Sequence, residues 1–271
     1  MLEAAPPPLD ALRSPVAPRL EEVRDRIAGL VTSELGALDD VAEYLLQMKG
    51  KLVRPTLLLL CDRVGGRGTR EAVTLGAVVE MVHVATLVHD DAVDHSVRRR
   101  GMPTVNARWT HQVAVILGDF LYSRAVMEIS RLGDVEAIHL LASAANRMTV
   151  GEMRQLTSHD ALDFSEDDYH RLCESKTASL MSAACELGAM AGAPEHRERL
   201  GGYGHDLGMA FQIVDDLLDY TESSGVTGKP WGQDLREHKV TLPLIAALPR
   251  MDQGERGTVE RIFDDPEPAR E

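Results

Sequence analysis

The hydrophobic pattern of the chain predicts helices along almost its whole length. Apolar residues recur three and four positions apart, and several segments are apolar on nearly every face, which is typical of helices at the centre of a bundle. No segment alternates between apolar and polar residues for long enough to predict a strand. The predicted long helices span residues 20–35, 54–64, 71–94, 113–132, 136–156, 168–190 and 201–220.

Glycine and proline concentrate in the connections between these helices. The main connections are 65–68, 98–103, 191–195 and 223–232. No short-period repeat is present, and residues 1–19 alone have the composition of a linker. We therefore predict a flexible segment over residues 1–19 and one all-α domain over residues 20–271.

Composition narrows the class of protein further. Hydrophobic residues make up 44% of the 271 residues and aromatic residues only 4%, so Ala, Val and Leu are expected to build a helical core. The net charge of −14 argues against generic nucleic-acid binding, although local basic residues or bound cations can still create a site for an anion. Cys61, Cys173 and Cys185 lie in no metal-ligand spacing, which favours a reduced, cytoplasmic protein. The N-terminus lacks the apolar core of a signal peptide, and no run of eighteen apolar residues predicts a membrane span.

The segment ATLVHDDAVD (85–94) ends an apolar run with Asp90, Asp91 and Asp94. On a helix Asp90 and Asp94 share one face, about 6 Å apart along the axis, and Asp91 lies about 100° round. Like charges at this spacing destabilise a helix. A divalent cation removes that repulsion, because clustered carboxylates are the hard oxygen ligands that Mg²⁺ accepts. The competing interpretation is an acidic helix end in solvent.

A second copy of the pattern strengthens the metal interpretation. The segment FQIVDDLLDY (211–220) places Asp215, Asp216 and Asp219 in another apolar helix. If the two helices face each other, six carboxylates flank one cleft. Because Mg²⁺ usually keeps waters and bridges one or two carboxylates to substrate phosphates, we expect a phosphorylated substrate.

Basic residues at turns and helix ends could neutralise the oxygens of such a phosphate, Arg as a fork and Lys as a point charge. Taken singly, each is more often a surface charge. The candidates are Lys51, Arg54, Arg99, Arg100, Lys176, Lys229 and Lys239.

Several motifs together make the sequence recognisable. They are HDDAVD (89–94) followed by RRG (99–101), GDFL (118–121), GEMRQL (151–156), KTASL (176–180), FQIVDDLLDY and GKPWGQDLREHKVTLP (228–243). With these motifs the chain resembles the trans-isoprenyl (polyprenyl) diphosphate synthases, from KGKLVRP to KVTLPLIAAL. The resemblance implies the isoprenoid synthase fold, a single-domain bundle of about ten or more helices around a central apolar cavity.

The resemblance also implies roles for the aspartates. The expected metal-binding carboxylates are those of Asp90, Asp94, Asp215 and Asp219. Asp91 and Asp216 are expected to support them, partly through water, and Asp219 acts partly in the same way. The bound ions are expected to be Mg²⁺, three with substrate present, with Mn²⁺ as a substitute. They clamp the diphosphate of the allylic substrate.

The remaining polar residues are assigned by the same resemblance. Residues expected to bind the allylic diphosphate are Arg99, Lys176 and Lys229, with Lys239 nearby. Residues expected to hold the diphosphate of isopentenyl diphosphate are Lys51, Arg54, His83 and Arg100. Residues expected to line the reaction centre are Thr177 and Gln212, where a carbocation is stabilised without being quenched.

Three polar residues have competing structural interpretations. A lone His on an apolar helix is usually a core residue, but His83 lies two turns before Asp90 on the same face, which favours a ligand. His89 is interpreted as structural. For Gln155, a carbonyl dipole near the cation and a simple packing role are equally open.

The chemistry expected from the resemblance is ionisation followed by addition. The allylic diphosphate ionises while cations stabilise the charge on the leaving group, and the double bond of isopentenyl diphosphate attacks the allylic carbon. No side chain has the character of a dedicated base, and the resemblance implies that the released diphosphate takes the proton. Alignment of the two substrates supplies a large share of the rate. Leu and Val side chains are expected to exclude water.

Product length is expected to depend on the helix of the first motif. Side chains lean towards the helix N-terminus, so residues one turn before Asp90 should face the growing tail. In this family an aromatic residue four or five positions before the first Asp stops the product short. Here Thr86 and Ala85 are small, with Val82 and Met81 a turn further back. We predict products from hexaprenyl to decaprenyl; geranylgeranyl or farnesyl diphosphate is the alternative if another helix plugs the tunnel.

The sequence departs from the family pattern at two places. Lys49 stands where the family usually has glycine, which alters that loop without removing Lys51 or Arg54. The sequence ends at DDPEPARE, whereas relatives usually continue through further helices. We therefore expect a domain that is short at its C-terminus, as a natural short form or a truncation.

Rival functions and partners complete the expectations. A class I terpene cyclase shares the fold, but its second metal motif usually reads Asn/Asp, Ser/Thr, Glu, unlike DDLLD. A subunit of a heteromeric synthase, inactive alone, typically loses an acidic motif, and both are intact here. A homodimer is the family default. The allylic starter stays open, and transient contact with a membrane surface is compatible with release of a lipid product.

Overall fold

The all-α class is confirmed by the structure, a computed structural model that describes residues 9–48, 50–66, 68–99, 101–157, 161–221 and 232–264. Its α-helices, within the described residues, are α1 (Leu9–Arg13), α2 (Ala17–Leu30), α3 (Gly36–Gln47), α4 (Val53–Asp62), α5 (Arg70–Val93), α6 (Val105–Arg108), α7 (His111–Ser130), α8 (Val135–Thr157), α9 (Glu166–Cys173), α10 (Ser179–Gly192), α11 (Arg197–Thr221), α12 (Gln233–Arg236), α13 (Leu242–Ala247) and α14 (Gln253–Phe263). Strands β1 (Arg98–Arg99) and β2 (Met102–Pro103) pair antiparallel, with Arg99 opposite Met102.

The chain divides into two compact units, each built from segments distant in sequence. Unit 1 comprises Met1–Ala145 and Leu180–Gly204, and unit 2 comprises Asn146–Ser179 and His205–Glu271. The predicted single domain over 20–271 and its central cavity therefore stay predictions.

Unit 1 is centred on helix α5, which packs against α2, α4 and α7. The interior of α5 is so apolar that its most hydrophobic window has a mean hydropathy of 1.6, enough by length and composition for a membrane span. However, 67% of that window is buried inside the protein, as in the core helix of a globular bundle. Burial of this helix on several sides explains why the last turn, with its three aspartates, is held in place.

A buried ion pair fixes the start of α5. Asp62, at the end of α4, has no exposed surface and accepts hydrogen bonds from Arg19 Nη1 at 2.6 Å and from Thr69 Oγ1 at 2.8 Å. Thr69 is also the N-cap of α5 and accepts from the backbone N–H of Ala72. A buried carboxylate is tolerated only when its oxygens are bonded in this way, so the contact ties α2, α4 and α5 together.

The described part of the predicted flexible segment over 1–19 is helical from residue 9 onwards, and its flexibility stays a prediction. Helix α1 is followed by a 3₁₀ turn at Ser14–Val16 and then by α2. Val16 is fully buried, and the Arg63 guanidinium donates to the carbonyl oxygen of Pro15. The proline-rich composition had suggested a linker, but prolines in the first turns of helices are compatible with helical backbone.

Unit 2 has its own apolar cluster. Val240, Leu244, Leu248 and Val259 are buried together, which joins the segment before α13 to α14. Two capping boxes start its helices: Ser165 with Asp168 at α9 and Asp252 with Glu255 at α14.

The predicted helix over 168–190 is interrupted in the structure. Between α9 and α10 lies a five-residue π-helical segment, Glu174–Ala178, with the sequence ESKTA. Such single π turns inside helices are uncommon and frequently occur at functional sites. This segment contains Lys176 and Thr177, which the family resemblance predicts to bind substrate.

Candidate active site

The first aspartate motif lies at the C-terminal end of α5, in unit 1. Asp90 is half-buried, Asp91 is 6% exposed, and Asp94 is exposed and forms the C-cap, its N–H donating to the Asp90 carbonyl oxygen at 2.8 Å. The partial negative charge at a helix C-terminus makes this an unfavourable place for carboxylates. Carboxylates that are kept there despite that field are well placed to bind cations.

Asp91 is neutralised by a cation of the protein itself. Arg99 Nε lies 2.9 Å from Asp91 Oδ1 and 2.8 Å from Oδ2. The hairpin that carries Arg99 is folded back by Gly101, whose φ of +78° is in the left-handed region. Thr104 Oγ1 anchors its other side by donating to the Ser96 carbonyl oxygen at 2.6 Å. The contact fits the expected supporting role of Asp91; binding of diphosphate by Arg99 stays a prediction.

The four residues proposed to set product length lie along α5 before the motif. Val82, Thr86, Asp90 and Asp94 are each four residues apart and form one row. Met81, Val82 and Ala85 are at most 2% exposed, whereas Thr86 is half-buried and donates from Oγ1 to the His83 carbonyl oxygen at 2.8 Å. Accessible surface along this row therefore ends near Thr86, and the deeper residues belong to the packed core.

The Lys51–Arg54 segment enters α4 through an unusual backbone. Leu52 is buried and has a φ of +46°, a conformation that costs an L-residue about 1–2 kcal/mol. Thr56 secures it, because its N–H and its Oγ1 both bond the Leu52 carbonyl oxygen, at 3.0 and 2.7 Å. Backbone strain of this kind is concentrated at ligand-binding segments. Lys51 itself is exposed.

Arg54 and His83 are both half-buried in unit 1. Burial lowers the pKa of the Arg54 guanidinium, and the negative charge of buried Glu80 raises it. Within the described residues Arg54 Nε is enclosed without a hydrogen-bond partner. Glu80 lies one turn before His83 on α5, so both predicted ligands are adjacent to one buried acid.

His89, interpreted as structural, has the contacts of a structural residue. Its Nε2 lies 3.1 Å from the Val115 carbonyl oxygen and 3.4 Å from Asp119 Oδ1. Asp119 belongs to the GDFL motif, so this motif holds the ring against α7.

The second motif lies near the end of α11, in unit 2. Asp215 is exposed, whereas Asp216 is 6% exposed and has both oxygens bonded. Tyr169 OH donates to Asp216 Oδ2 at 2.5 Å, and Gln212 Nε2 donates to Oδ1 at 2.8 Å. The pKa of the Tyr169 phenol is raised, mainly by burial and then by Asp216, so it stays a donor.

Thr177 and Gln212, both expected at the reaction centre, are hydrogen-bonded to each other. Thr177 Oγ1 donates to Gln212 Oε1 at 2.7 Å, and both residues belong to unit 2. The Gln212 amide is therefore bonded at both ends, with its oxygen on the π segment and its nitrogen on Asp216. A role of this carbonyl beside a carbocation stays a prediction.

Asp219 has a second function beside its predicted metal role. Its two oxygens accept the N–H groups of Gln233, at 3.2 Å, and Asp234, at 3.0 Å, which begin α12. Its carbonyl oxygen accepts from the Gly232 N–H at 3.0 Å. Because a carboxylate has about four acceptor positions, capping α12 leaves capacity for a cation.

Lys176 projects from the π segment towards α8. Its Nζ forms an ion pair with Glu152 and lies 3.2 Å from Gln155 Oε1. The helices approach closely here, since a Cβ added to Gly151 would lie 2.6 Å from the Ser175 Cβ. Gln155 was interpreted either as a carbonyl dipole near the carbocation or as a packing residue, and neither interpretation included this contact with Lys176.

Two important residues were not found from the sequence. Tyr169 and Glu152 bond Asp216 and Lys176, respectively, and Tyr169 lies seven residues before Lys176. The position of Tyr169 two helical turns before Lys176 could be read from the sequence. Its contact with Asp216, 47 residues away, could not. Cys173, beside Tyr169, is buried, and burial raises the pKa of its thiol to about 11.

Lys239 lies at the edge of this unit. Its Nζ is 2.8 Å from Glu237 Oε2, and both side chains are about one-third exposed. Lys49, Arg100 and Lys229 lie outside the described residues.

Mg²⁺ fits the donor set of the motifs. Within the described ranges no group of three or more His, Cys, Asp and Glu side chains lies close enough to hold a metal ion alone. Mg²⁺ commonly takes only one or two carboxylates and completes its shell with water and substrate phosphate. Asp90, Asp94 and Asp215 retain exposed surface for such binding, whereas protein donors bond Asp91 and Asp216.

The all-α fold and the two aspartate motifs agree with the class expected from the sequence, enzymes that act on isoprenoid diphosphates. The family model described as "Polyprenyl synthetase" matches residues 36–271, and the chain belongs to this family. This confirms the family and the class of reaction expected from the sequence, so the chain is a prenyltransferase.

Named relatives agree with this assignment. Heptaprenyl diphosphate synthase component 2 of Geobacillus stearothermophilus is 39% identical over 242 residues, 89% of this chain and 76% of the relative. Octaprenyl diphosphate synthase of Escherichia coli K12 is 37% identical over 89% of this chain and 75% of the relative. The crystal structure of a decaprenyl diphosphate synthase from Rhodobacter capsulatus superposes with a TM-score of 0.87 at 39% identity, covering 95% of this chain and 81% of that one.

Proposed function

We propose that the protein is a long-chain trans-polyprenyl diphosphate synthase, which extends an allylic diphosphate with isopentenyl diphosphate. The observation that carries the proposal is the shared form of the two motifs. Each has a buried second aspartate bonded by protein donors and a first aspartate with exposed surface. The relatives named as heptaprenyl, octaprenyl and decaprenyl synthases support a product in this long range.

The residues proposed to bind the metal are Asp90, Asp94, Asp215 and, in part, Asp219. Bound Mg²⁺, for which Mn²⁺ can substitute, would supply positive charge for the departing diphosphate. Asp91 and Asp216 support the metal-binding aspartates. Arg99 holds Asp91 in place, and Tyr169 and Gln212 hold Asp216.

Basic residues bind the diphosphates and stabilise the charge that develops on the leaving oxygen. Those proposed for the allylic diphosphate are Arg99, Lys176, Lys229 and Lys239. Those proposed for isopentenyl diphosphate are Lys51, Arg54, His83 and Arg100. Lys176 is paired with Glu152 in the structure, so binding of diphosphate by its Nζ requires that Glu152 share it or release it.

The reaction breaks the bond between the allylic carbon and the diphosphate oxygen, and the double bond of isopentenyl diphosphate then forms the new carbon–carbon bond. A proton leaves the adduct and is taken by the released diphosphate. The chain's own contribution is to align both substrates and to keep water from the cation with apolar side chains.

Product length follows from the small residues before the first motif. A growing tail that passes Thr86 reaches Ala85, Val82 and Met81, which form a packed core in the structure. Because Ala85 is small, few side chains must move to admit the tail. Hexaprenyl to decaprenyl products are therefore proposed.

Assembly and location are further parts of the proposal. A homodimer in the cytoplasm, with transient contact to a membrane surface for product release, is the arrangement we propose. The name of one relative, heptaprenyl diphosphate synthase component 2, favours a second candidate, a subunit that needs a partner.

A chain-elongation assay tests the proposal. The purified protein receives farnesyl diphosphate, labelled isopentenyl diphosphate and Mg²⁺, and the dephosphorylated products are sized by chromatography. The expected result is a ladder beyond twenty carbons that EDTA abolishes. A stop at twenty carbons would reject the length, and no incorporation from geranyl, farnesyl or geranylgeranyl diphosphate would favour the dependent subunit.

A further inference from the structure

The second motif is supported by a buried hydrogen-bond network that includes Tyr169, a residue that binds neither metal nor substrate in the scheme above. Tyr169 is 1% exposed and donates to Asp216 Oδ2 at 2.5 Å. Gln212 donates to the other oxygen of Asp216 at 2.8 Å and accepts from Thr177 at 2.7 Å. The network therefore runs from α9 through Asp216 to the π segment, all within unit 2.

Both carboxylate oxygens of Asp216 are committed to neutral donors inside the protein. These two donors are uncharged, whereas the donor to Asp91 is the guanidinium of Arg99. Asp215, the neighbouring residue, is exposed. One aspartate of the pair thus supplies fixed buried charge, and the other is accessible for direct coordination.

We propose that Tyr169 is a positioning residue of the second motif: its hydroxyl, together with the Gln212 amide, fixes Asp216 as a buried supporting carboxylate behind the diphosphate–metal site. The inference rests on the proposed function. Groups that orient metal-binding residues from behind typically contribute about 10–100-fold to metal affinity or activity.

Loss of the phenol hydroxyl has a defined consequence. The Tyr169→Phe change leaves the ring in its cavity but removes the donor to Asp216 Oδ2. The freed oxygen is buried, so its carboxylate has to rotate or recruit water to regain a partner. Rotation would also break the bond with Gln212, and the coupling to Thr177 would be lost.

Binding of inorganic diphosphate with Mg²⁺, measured by titration calorimetry without any allylic substrate, tests this role. Tyr169→Phe is expected to weaken the Mg²⁺-dependent binding roughly tenfold. Tyr203→Phe, at an exposed tyrosine, is the matched control and is expected to leave it unchanged. In a background of Asp216→Asn the Tyr169→Phe change is expected to have less than about a twofold further effect, since the residue acts through Asp216.

Two results would overturn the proposal. One is a folded Tyr169→Phe protein that binds diphosphate and Mg²⁺ as the parent does. The other is an equal loss in both backgrounds, which would assign Tyr169 a general packing role. If Tyr169→Phe does not fold, Gln212→Met removes the other donor to Asp216, and its loss must likewise vanish with Asp216→Asn. Failure of the parent protein in the elongation assay would instead refute the proposed function, because the calorimetric binding does not depend on turnover.

Discussion

The two aspartate motifs share one spacing but have different surroundings. In both, the second aspartate is buried and bonded, yet Asp91 is paired with the guanidinium of Arg99, while Asp216 is held by the neutral donors of Tyr169 and Gln212. The third aspartates differ as well. Asp94 ends helix α5, whereas Asp219 lies within α11 and caps α12.

The difference shows that two copies of the same sequence motif can lie in different electrostatic environments. The pair of Asp91 and Arg99 carries no net charge, so the first motif presents mainly the charges of Asp90 and Asp94. In the second motif Asp216 accepts hydrogen bonds from the uncharged side chains of Tyr169 and Gln212.

Removal of the accessible carboxylates should have the largest effect. Asp90→Asn and Asp215→Asn are each expected to lower kcat by roughly 10²–10³-fold, because each removes charge that stabilises the leaving group. Steady-state transfer of labelled isopentenyl units measures this, with Asp40→Asn, an exposed aspartate on α3, as the control. Equal activity of parent and Asp215→Asn would show that the second motif is not catalytic.

Product length should respond to the first motif and not to the second. Ala85 and Thr86 precede Asp90 by five and four residues, whereas Phe211 precedes Asp215 by four. Ala85→Phe is expected to shorten the product, and Phe211→Ala to leave its length unchanged. Chromatography of the dephosphorylated products compares the two, and the overpacking of Ala85→Phe, about 1–3 kcal/mol, is checked by thermal unfolding. Unchanged length in the folded Ala85→Phe variant would reject the role of α5 in setting length.

The supports of the two buried aspartates should differ in their response to salt. Arg99→Gln and Tyr169→Phe are each expected to lower the free energy of unfolding by about 1–3 kcal/mol, because each removes a donor to a buried carboxylate. The Arg99 side chain is 34% exposed, so its loss should matter less as salt screens the pair. The loss caused by Tyr169→Phe should be insensitive to salt. Urea denaturation at low and high NaCl distinguishes them, and parallel responses would contradict the contrast.

The smallest effect is expected at the exposed edge of unit 2. Glu237→Gln removes the partner of Lys239, in a pair of which both members are about one-third exposed. Such pairs contribute about 0–1 kcal/mol, so the unfolding midpoint should hardly move. A shift as large as that of Arg99→Gln would show that this pair is part of the structural core.

The sequence predicted the long helices better than the short or uncapped elements. The pattern over 71–94 and 136–156 matched α5 and α8 to within a residue or so, because continuous apolar faces specify such helices. Helix α3 was missed, since its N-cap is Leu35 without a side-chain cap and no standard start signal precedes it. The short hairpin at 98–103 was equally invisible, because its strands have two residues each.

The candidate site was predicted residue by residue, but its contacts were not. Helical spacing placed Asp90 and Asp94 in one row because that relation is local. The bonds of Tyr169 to Asp216 and of Glu152 to Lys176 depend on how distant segments pack, which periodicity does not encode. The predicted roles in binding metal and substrate stay predictions for the experiments above.

The π segment at Glu174–Ala178 also sets how the residues on its two sides face. A π turn closes its hydrogen bonds between residues five apart, so it takes up one residue more than an α turn. If the same residues formed a regular α-helix, every side chain after the segment would rotate by about 100° relative to those before it. Tyr169 and Lys176 would then point in new relative directions, so the π turn determines which faces of the chain carry these two residues.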